Sequence, residues 1–380
     1  MSAIVANPAA CFELHGVRVR IESELPAFAD YARAALEPWI VADSGKFDIR
    51  SRLQWREGMP PRHKESGASG GDGFDPMIWT RRPDRDLFLG EAGAQWLRID
   101  DFPDLQMELA MKDERLDVTG RYFFHLATGG RAEALQRIRH RSQLEQMRGR
   151  RFSTLLYYLF YHPVLWWLSR GAGWNVLHAS AVATRIGAVV LVGMPGCGKS
   201  SLSVAMLADA DHRMLSDNLL LHDGYRVMAC PELLLLDERS RRLAGAGAAR
   251  LTQTGEKRVF ARDAYRTSDI EMMPQRAGVL LHVERSSEFQ LKPLVPRESA
   301  ARLRAANTMA KEMRRISIMN EVLDLVSGAR RYDETTASDR LAELVPSFAL
   351  HVPPSNDLVT FMREKVLAEL FDALGNGDER

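Results

Sequence analysis

The residues best equipped for chemistry stand in one octet, Gly193-Met194-Pro195-Gly196-Cys197-Gly198-Lys199-Ser200, followed directly by Ser201. The spacing is G-x-x-x-x-G-K-[ST], in which the glycines let the main chain turn with its N–H groups pointing inward as an anion nest. The start of a helix adds partial positive charge, Lys199 reaches β- and γ-phosphates, and the Ser200 hydroxyl can ligate Mg2+. A glycine-rich turn can match this pattern by accident, and the flanks argue against that here. Val189-Val190-Leu191-Val192 reads as a buried strand and residues 201–207 continue with helix-compatible apolar spacing, which is the strand–turn–helix context the motif needs. The expected ligand is a nucleoside triphosphate with Mg2+, held through Gly193, Gly196, Cys197, Gly198, Lys199, Ser200 and Ser201.

Other polar residues gain meaning from that loop. Residues 212–221 read as one strand with Ser216-Asp217-Asn218 at its centre. Burying such a group is costly unless it is partnered, and beside a phosphate loop the natural partners are Mg2+ and a reacting hydroxyl. Asp217 is thus a candidate metal ligand, with Ser200, and a candidate base. His178, on the strand 175–183, is either part of the site or a satisfied histidine at a strand end. Residues 233–238 end in Asp237-Glu238 and imitate the hhhhDE strand of motor-type ATPases, with an ordinary strand end as the alternative. Glu232 is a second, weaker acid. Lys257 and Arg258 either clamp phosphate oxygens or form a solvated basic turn. Cys197 near a helix N-terminus suggests redox inhibition, or simply a small residue.

The elements that must position these groups fall into two halves. In the first, residues 12–23 alternate as a half-buried strand, 25–39 form an amphipathic helix with Pro26 in its first turn, and 47–55 alternate again. A Gly/Pro/Ser-rich loop follows at 59–76, then short strands at 87–89, 95–99, 105–111, 116–118 and 122–126. Residues 131–151 are arginine-rich and read as the solvated face of a connecting helix rather than a nucleic-acid patch, because aromatics are not interleaved. The apolar helix 152–170, containing His162, is expected to pack on the second half. There, strands at 175–183 and 188–192, a helix at 201–209, a hairpin turn at 222–224 with a return strand at 225–229, and strands at 231–237, 277–283 and 289–294 accompany helices at 300–307, 319–326 and 358–374. Residues 244–249 read as a loop. The expected organisation is an α+β accessory domain over 1–150 and a phosphate-loop domain over 151–380.

Composition bounds the function. Among 380 residues, 51 Lys and Arg nearly cancel 50 Asp and Glu, so the net charge of +1 gives no global attraction to nucleic acid or to an anionic membrane. Three widely spaced cysteines suggest a reducing compartment. Neither a signal peptide nor a membrane span is expected, and the location expected is cytoplasmic.

Residues 177–224, LHASAVATRIGAVVLVGMPGCGKSSLSVAMLADADHRMLSDNLLLHDG, resemble the catalytic core of the HPr kinase/phosphorylase family. They look closer still to the HPr-kinase-related proteins found outside sugar regulation. The match rests on a histidine one strand ahead of the loop, the loop itself, and an acidic strand beginning about seventeen residues after the loop lysine. It implies an α/β fold with a mixed sheet akin to that of phosphoenolpyruvate carboxykinase. It also implies ATP- and Mg2+-dependent transfer of a phosphoryl group to a hydroxyl, a serine of a protein or peptide or a small molecule. In that pattern Gly196, Gly198, Lys199 and Ser200 hold phosphates and metal, His178 sits near the transferred phosphoryl, and the acidic strand supplies metal contact and base. Catalytic roles accordingly fall to Asp217, His178 and Lys199. Two departures stand out. Asn218 occupies the place of a second aspartate, and an amide cannot accept a proton; Ala179 replaces the usual glycine. The alternatives are a nucleotide-binding regulatory module whose transfer activity has decayed and an ATPase using Asp237 and Glu238. Family members assemble into hexamers, so a homo-oligomer is possible.

Overall fold

The computed structural model describes residues 9–61, 80–82, 86–90, 93–126, 144–230, 232–253, 264–267, 269–329 and 334–375. The chain divides into two units: the described residues up to Arg170 together with 319–329, and the remainder. The glycine-rich loop read at 59–76, the start of the arginine-rich helix at 131–143, and Lys257 and Arg258 lie largely or wholly outside the described residues.

Alternation of apolar and polar residues builds the first unit. Its elements are β1 (Ala9–Leu14), β2 (Val17–Ser23), α1 (Pro26–Ala35), β3 (Ile40–Val41), β4 (Ile49–Glu57), β5 (Thr80–Arg82), β6 (Leu87–Gly90), β7 (Gly93–Trp96), β8 (Leu105–Lys112) and β9 (Arg115–Phe124). They form one mixed sheet in the order β3-β1-β2-β4-β9-β8-β7-β6-β5, with β4 parallel to both β2 and β9. The strand expected over 12–23 is a hairpin instead. His15 and Gly16 both take positive φ, 51° and 83°, the two-residue turn whose twist suits flanking strands, and Leu14 pairs with Val17.

The helix expected to cover the second half belongs to this unit. α2 (Leu144–Leu156), a π-helical stretch Tyr157–Tyr161 and α3 (His162–Ala172) run on continuously. The Phe152 ring packs 5.6 Å from Phe28 and 5.9 Å from Trp55, and Phe160 lies 5.9 Å from Phe12. Burying these rings on the first sheet moves the division between units from the expected residue 150 to Arg170. Trp166 Nε1 and Arg170 Nε both donate to Asp324 Oδ1, at 2.8 and 2.7 Å.

The second unit contains β10 (Asn175–Thr184), β11 (Gly187–Val192), α4 (Lys199–Met206), β12 (Arg213–Ser216), β13 (Leu219–His222), β14 (Arg226–Ala229), β15 (Leu234–Leu235), α5 (Glu238–Leu243), α6 (Gly245–Ala248), β16 (Leu251–Gln253), β17 (Ala264–Thr267), β18 (Gln275–Arg285), β19 (Gln290–Pro293), α7 (Pro296–Met309), the start of α8 (Lys311–Ser327), α9 (Glu334–Leu344) and β20 (Ser347–Val352). A C-terminal helix follows as α10 (Leu358–Thr360), a π-helical stretch Phe361–Leu367 and α11 (Ala368–Gly375).

The main sheet is mixed. β18 runs parallel to β11 on one side and to β20 on the other, while β10 pairs antiparallel with β11, β12 and β13. Both faces of β11 are covered: Val189 and Leu191 join a cluster with Leu202, Leu281 and Phe361, and Val190 and Val192 join one with Leu280, Leu303 and Leu341. A strand covered on both faces reads as an unbroken apolar run, which is why alternation is lost there. The chain is therefore α/β with two mixed sheets.

Two local expectations change. The strand read over 231–237 shrinks to β15, part of a separate three-stranded sheet β15-β17-β16. The loop read over 244–249 contains the short helix α6, where a Cβ on Gly247 would lie 1.8 Å from the Val204 carbonyl oxygen of α4. Among the described residues, no helix is long and apolar enough to cross a membrane.

Candidate active site

The octet bridges β11 and α4 as the sequence requires. Gly193, Gly196 and Gly198 have φ of 155°, 80° and 108°. Gly193 is fixed twice over, because a Cβ there would also lie 2.7 Å from the Val283 carbonyl oxygen of β18 and 2.9 Å from Cys197 Sγ. Lys199 is 6% exposed, and its ammonium is turned back onto the loop. Nζ donates to the Gly193 carbonyl at 2.8 Å and the Met194 carbonyl at 3.3 Å, and lies 3.3 Å from His178 Nε2.

Strand β10 brings the other groups to the loop because it lies between β11 and the acidic strand. Ala179 pairs with Val192 on one side, and His178 pairs with Leu219 on the other. The strand expected over 212–221 is broken at Asp217-Asn218, between β12 and β13, which is where its polar residues made a continuous buried ladder expensive. Hydroxyls take up the carbonyls released by the break. Ser216 Oγ shares its one proton between the Leu219 and Cys230 carbonyls, and Ser180 Oγ donates to the Asp217 carbonyl. Ser180 Oγ also lies 2.9 Å from Asp217 Oδ1, and the Ser200 hydroxyl is near enough to draw the pKa of the same carboxyl down.

The electrostatics follow from burial. Burial and then the Lys199 charge press His178 down to about 4, only partly opposed by the Asn218 carbonyl, so its imidazole is neutral near pH 7. Burial also lowers Lys199, while Cys197, Asp217 and Glu312 oppose. Asp217 is raised by desolvation, with the Ser200 and Ser180 hydroxyls and Lys199 pulling the other way. The result is a neutral imidazole, an ammonium and a desolvated carboxylate gathered around one loop.

The structure therefore brings together His178, Asp217, Lys199 and Ser200, along with the loop residues Gly193, Gly196, Cys197 and Gly198 and the third residue of α4, Ser201. It does not add Asp237 or Glu238. Asp237 caps α5, its Oδ1 accepting from the Ser240 amide at 2.6 Å, and exposed Glu238 pairs with Arg241 at 3.4 Å. Glu232 Oε2 accepts from the Leu219 amide at 3.1 Å and so supports the acidic break from behind. Three residues that motif reading passed over join the site. Ser180 shares a strand face with His178, a signal that period-two reading offers. Asn307 of α7 accepts from the His178 amide at 2.9 Å, and Arg285 of β18 donates to the Gly196 carbonyl at 2.8 Å. These last two arrive from far along the chain and carry no local signal.

No protein-family model matches the chain, and no curated protein matches it significantly.

Proposed function

We propose that this chain is an ATP- and Mg2+-dependent phosphotransferase acting on a hydroxyl, of the HPr-kinase-like type with a phosphoenolpyruvate-carboxykinase-like core. The observation that supports it most is the convergence of His178, Lys199 and the Ser180–Asp217–Ser200 cluster on a loop of the phosphate-binding pattern. The loop amides and the N-terminus of α4 would bind the phosphate tail of ATP, and Lys199 would leave the Gly193 and Met194 carbonyls for phosphate oxygens. His178, neutral and held through Asn307, would offer a hydrogen bond beside the moving phosphoryl without adding charge. Asp217, raised by burial, would accept the proton of the attacking hydroxyl more readily than an exposed carboxylate.

The same donor set suits a hard divalent cation: a serine hydroxyl and a carboxyl group near it, both oxygen ligands. Ser200 and Asp217 would hold Mg2+, whose charge would offset that developing on the phosphate oxygens. Among the described residues no trio of His, Cys, Asp or Glu is placed to hold a metal, and Mg2+ bound mainly through phosphates and water needs none.

Asn218 supports a second reading, a nucleotide-binding module without transfer. One experiment separates them. Calorimetry with Mg-ATP is run on the wild type and Lys199→Ala, then γ-labelled ATP is offered with seryl peptides and free hydroxy amino acids. Binding lost in Lys199→Ala, with label on an acceptor and loss of transfer in Asp217→Asn, supports the phosphotransferase. Binding without any labelled acceptor, and with residual turnover equal in Asp217→Asn, supports the module. Absence of binding at millimolar Mg-ATP removes both.

A further inference from the structure

The loop is held by cations on its own carbonyl oxygens at both ends. Lys199 takes Gly193 and Met194, and Arg285 takes Gly196 through Nη2 at 2.8 Å. Arg285 is the last residue of β18, which lies parallel beside β11 with Val192 opposite His282, so the two strands finish at the same edge. Gly193 packs directly on the Val283 carbonyl of β18, which fixes the end of that strand against the base of the loop. Arg285 is exposed, and among the described residues no carboxylate pairs with it. Its neighbour Glu284 is engaged by Arg302 instead. A guanidinium carries five N–H donors in a planar fork, and the Gly196 carbonyl uses one.

We propose that Arg285 is a phosphate-binding residue of this site: it holds the loop in shape through Gly196 and, when a nucleoside triphosphate enters, binds the phosphate oxygens with its remaining donors. The proposal rests on the triphosphate reading above and adds to it a residue from a strand outside the motif. The physical reason is charge. A triphosphate brings several negative charges to a loop whose amides carry only partial positive charge, and Lys199 alone contributes one full cation. A planar fork at the rim matches two phosphate oxygens at once, which an ammonium cannot do.

The test uses the full chain. Wild type, Lys199→Ala, Arg285→Gln and Arg285→Lys are titrated with Mg-ATP, Mg-ADP and inorganic tripolyphosphate, and circular-dichroism melting confirms that each folds. Expected is a tenfold or greater loss of affinity for Mg-ATP and tripolyphosphate in Arg285→Gln, with partial recovery in Arg285→Lys, which restores charge without the fork. A purely structural latch on Gly196 gives the opposite pattern, unchanged or tighter binding in Arg285→Gln because the loop is released, and that result overturns the proposal. Wild-type protein that binds none of the three ligands overturns the triphosphate reading itself, and this proposal with it. Wild-type binding lost in Lys199→Ala but kept in Arg285→Gln removes only the role of Arg285.

Discussion

The second unit buries three neutral histidines, and acid should unfold it for that reason. His178, His222 and His282 are 5%, 0% and 2% exposed, and each is pressed from an ordinary 6.5 to about 4, chiefly by desolvation. Neither ring nitrogen of His222 has a hydrogen-bond partner, and His282 is held at Nε2 by Ser299 at 2.9 Å. Between pH 4 and 6.5 the unfolded chain binds protons that the folded unit refuses. Stability is therefore complete above the unfolded value and is lost as pH falls toward the folded one. A lowering from 6.5 to about 4 is worth about 3 kcal/mol for each histidine, so the three together reach about 10 kcal/mol, the size of a typical domain's whole stability. In the middle of the window the slope approaches about 4 kcal/mol per pH unit, three protons' worth. Asp217, raised rather than lowered, holds a proton that the unfolded chain releases and so reduces that slope by at most one proton. Asp223, raised by burial but lowered on balance by its bonds from Arg226 and Tyr225, titrates below the window.

The measurement is urea unfolding from pH 8 to 4.5 at constant ionic strength. Cys230 is fully buried in this unit, so with Cys11 and Cys197 replaced by alanine its reaction with a dipyridyl disulfide reports the opening of this unit alone. The expected slope between pH 5 and 6 is about 2–4 kcal/mol per pH unit, and His282→Asn removes about one proton from it. A slope under about 1.4 kcal/mol per pH unit, less than one proton, refutes the claim that burial holds these rings neutral.

Two further predictions concern packing. Gly247→Ala puts a methyl group within 1.8 Å of a backbone oxygen of α4, which cannot rotate away, so a loss of about 2–3 kcal/mol and weaker Mg-ATP binding are expected by denaturation and calorimetry. Asp324→Ala leaves the Arg170 guanidinium and the Trp166 indole without this acceptor in a nearly dry site, and a loss of about 3–5 kcal/mol in the first unit is expected from tryptophan-detected unfolding; a loss below about 1 kcal/mol counts against that pairing.

What the sequence made legible is what short range controls. The loop, its strand and its helix were readable because glycines, a lysine and an unbroken apolar run are all local. The β1–β2 hairpin was readable in principle: the buried apolar positions are Phe12 and Leu14 before the turn but Val17, Val19 and Ile21 after it, a change of parity across His15-Gly16 that a single strand cannot make. The break at Asp217-Asn218 was signalled by the cost of its polar residues, though not its form, which depends on Ser180 and Ser216 supplying hydroxyls from neighbouring strands. Asn307 and Arg285 were invisible because their partners lie 129 and 89 residues away, and nothing near them in the chain announces a phosphate loop. The packing of the α2–α3 helix with the first unit is hidden for the same reason. Its apolar face was evident, but which sheet would receive Phe152 and Phe160 was decided by Phe28, Trp55 and Phe12.

Asn218 gives the most direct way to decide between transfer and mere binding. Asp217 is bonded by Ser180, and if it holds Mg2+ its negative charge is partly spent, which weakens it as a base. A single carboxylate must then serve two purposes that the resembled family divides between two. Asn218→Asp restores the second. A positioned general base is worth about 10²- to 10⁴-fold in rate, so a module that lost transfer with its second aspartate should gain roughly that much over background in Asn218→Asp. In an enzyme where Asp217 already accepts the proton, the added carboxylate only repels it and raises both pKa values, so turnover changes by less than about tenfold and its acid limb shifts to higher pH. Labelled transfer to the best acceptor, measured across pH for both proteins, reads the difference. A hundredfold gain in Asn218→Asp refutes the assignment of Asp217 as the working base.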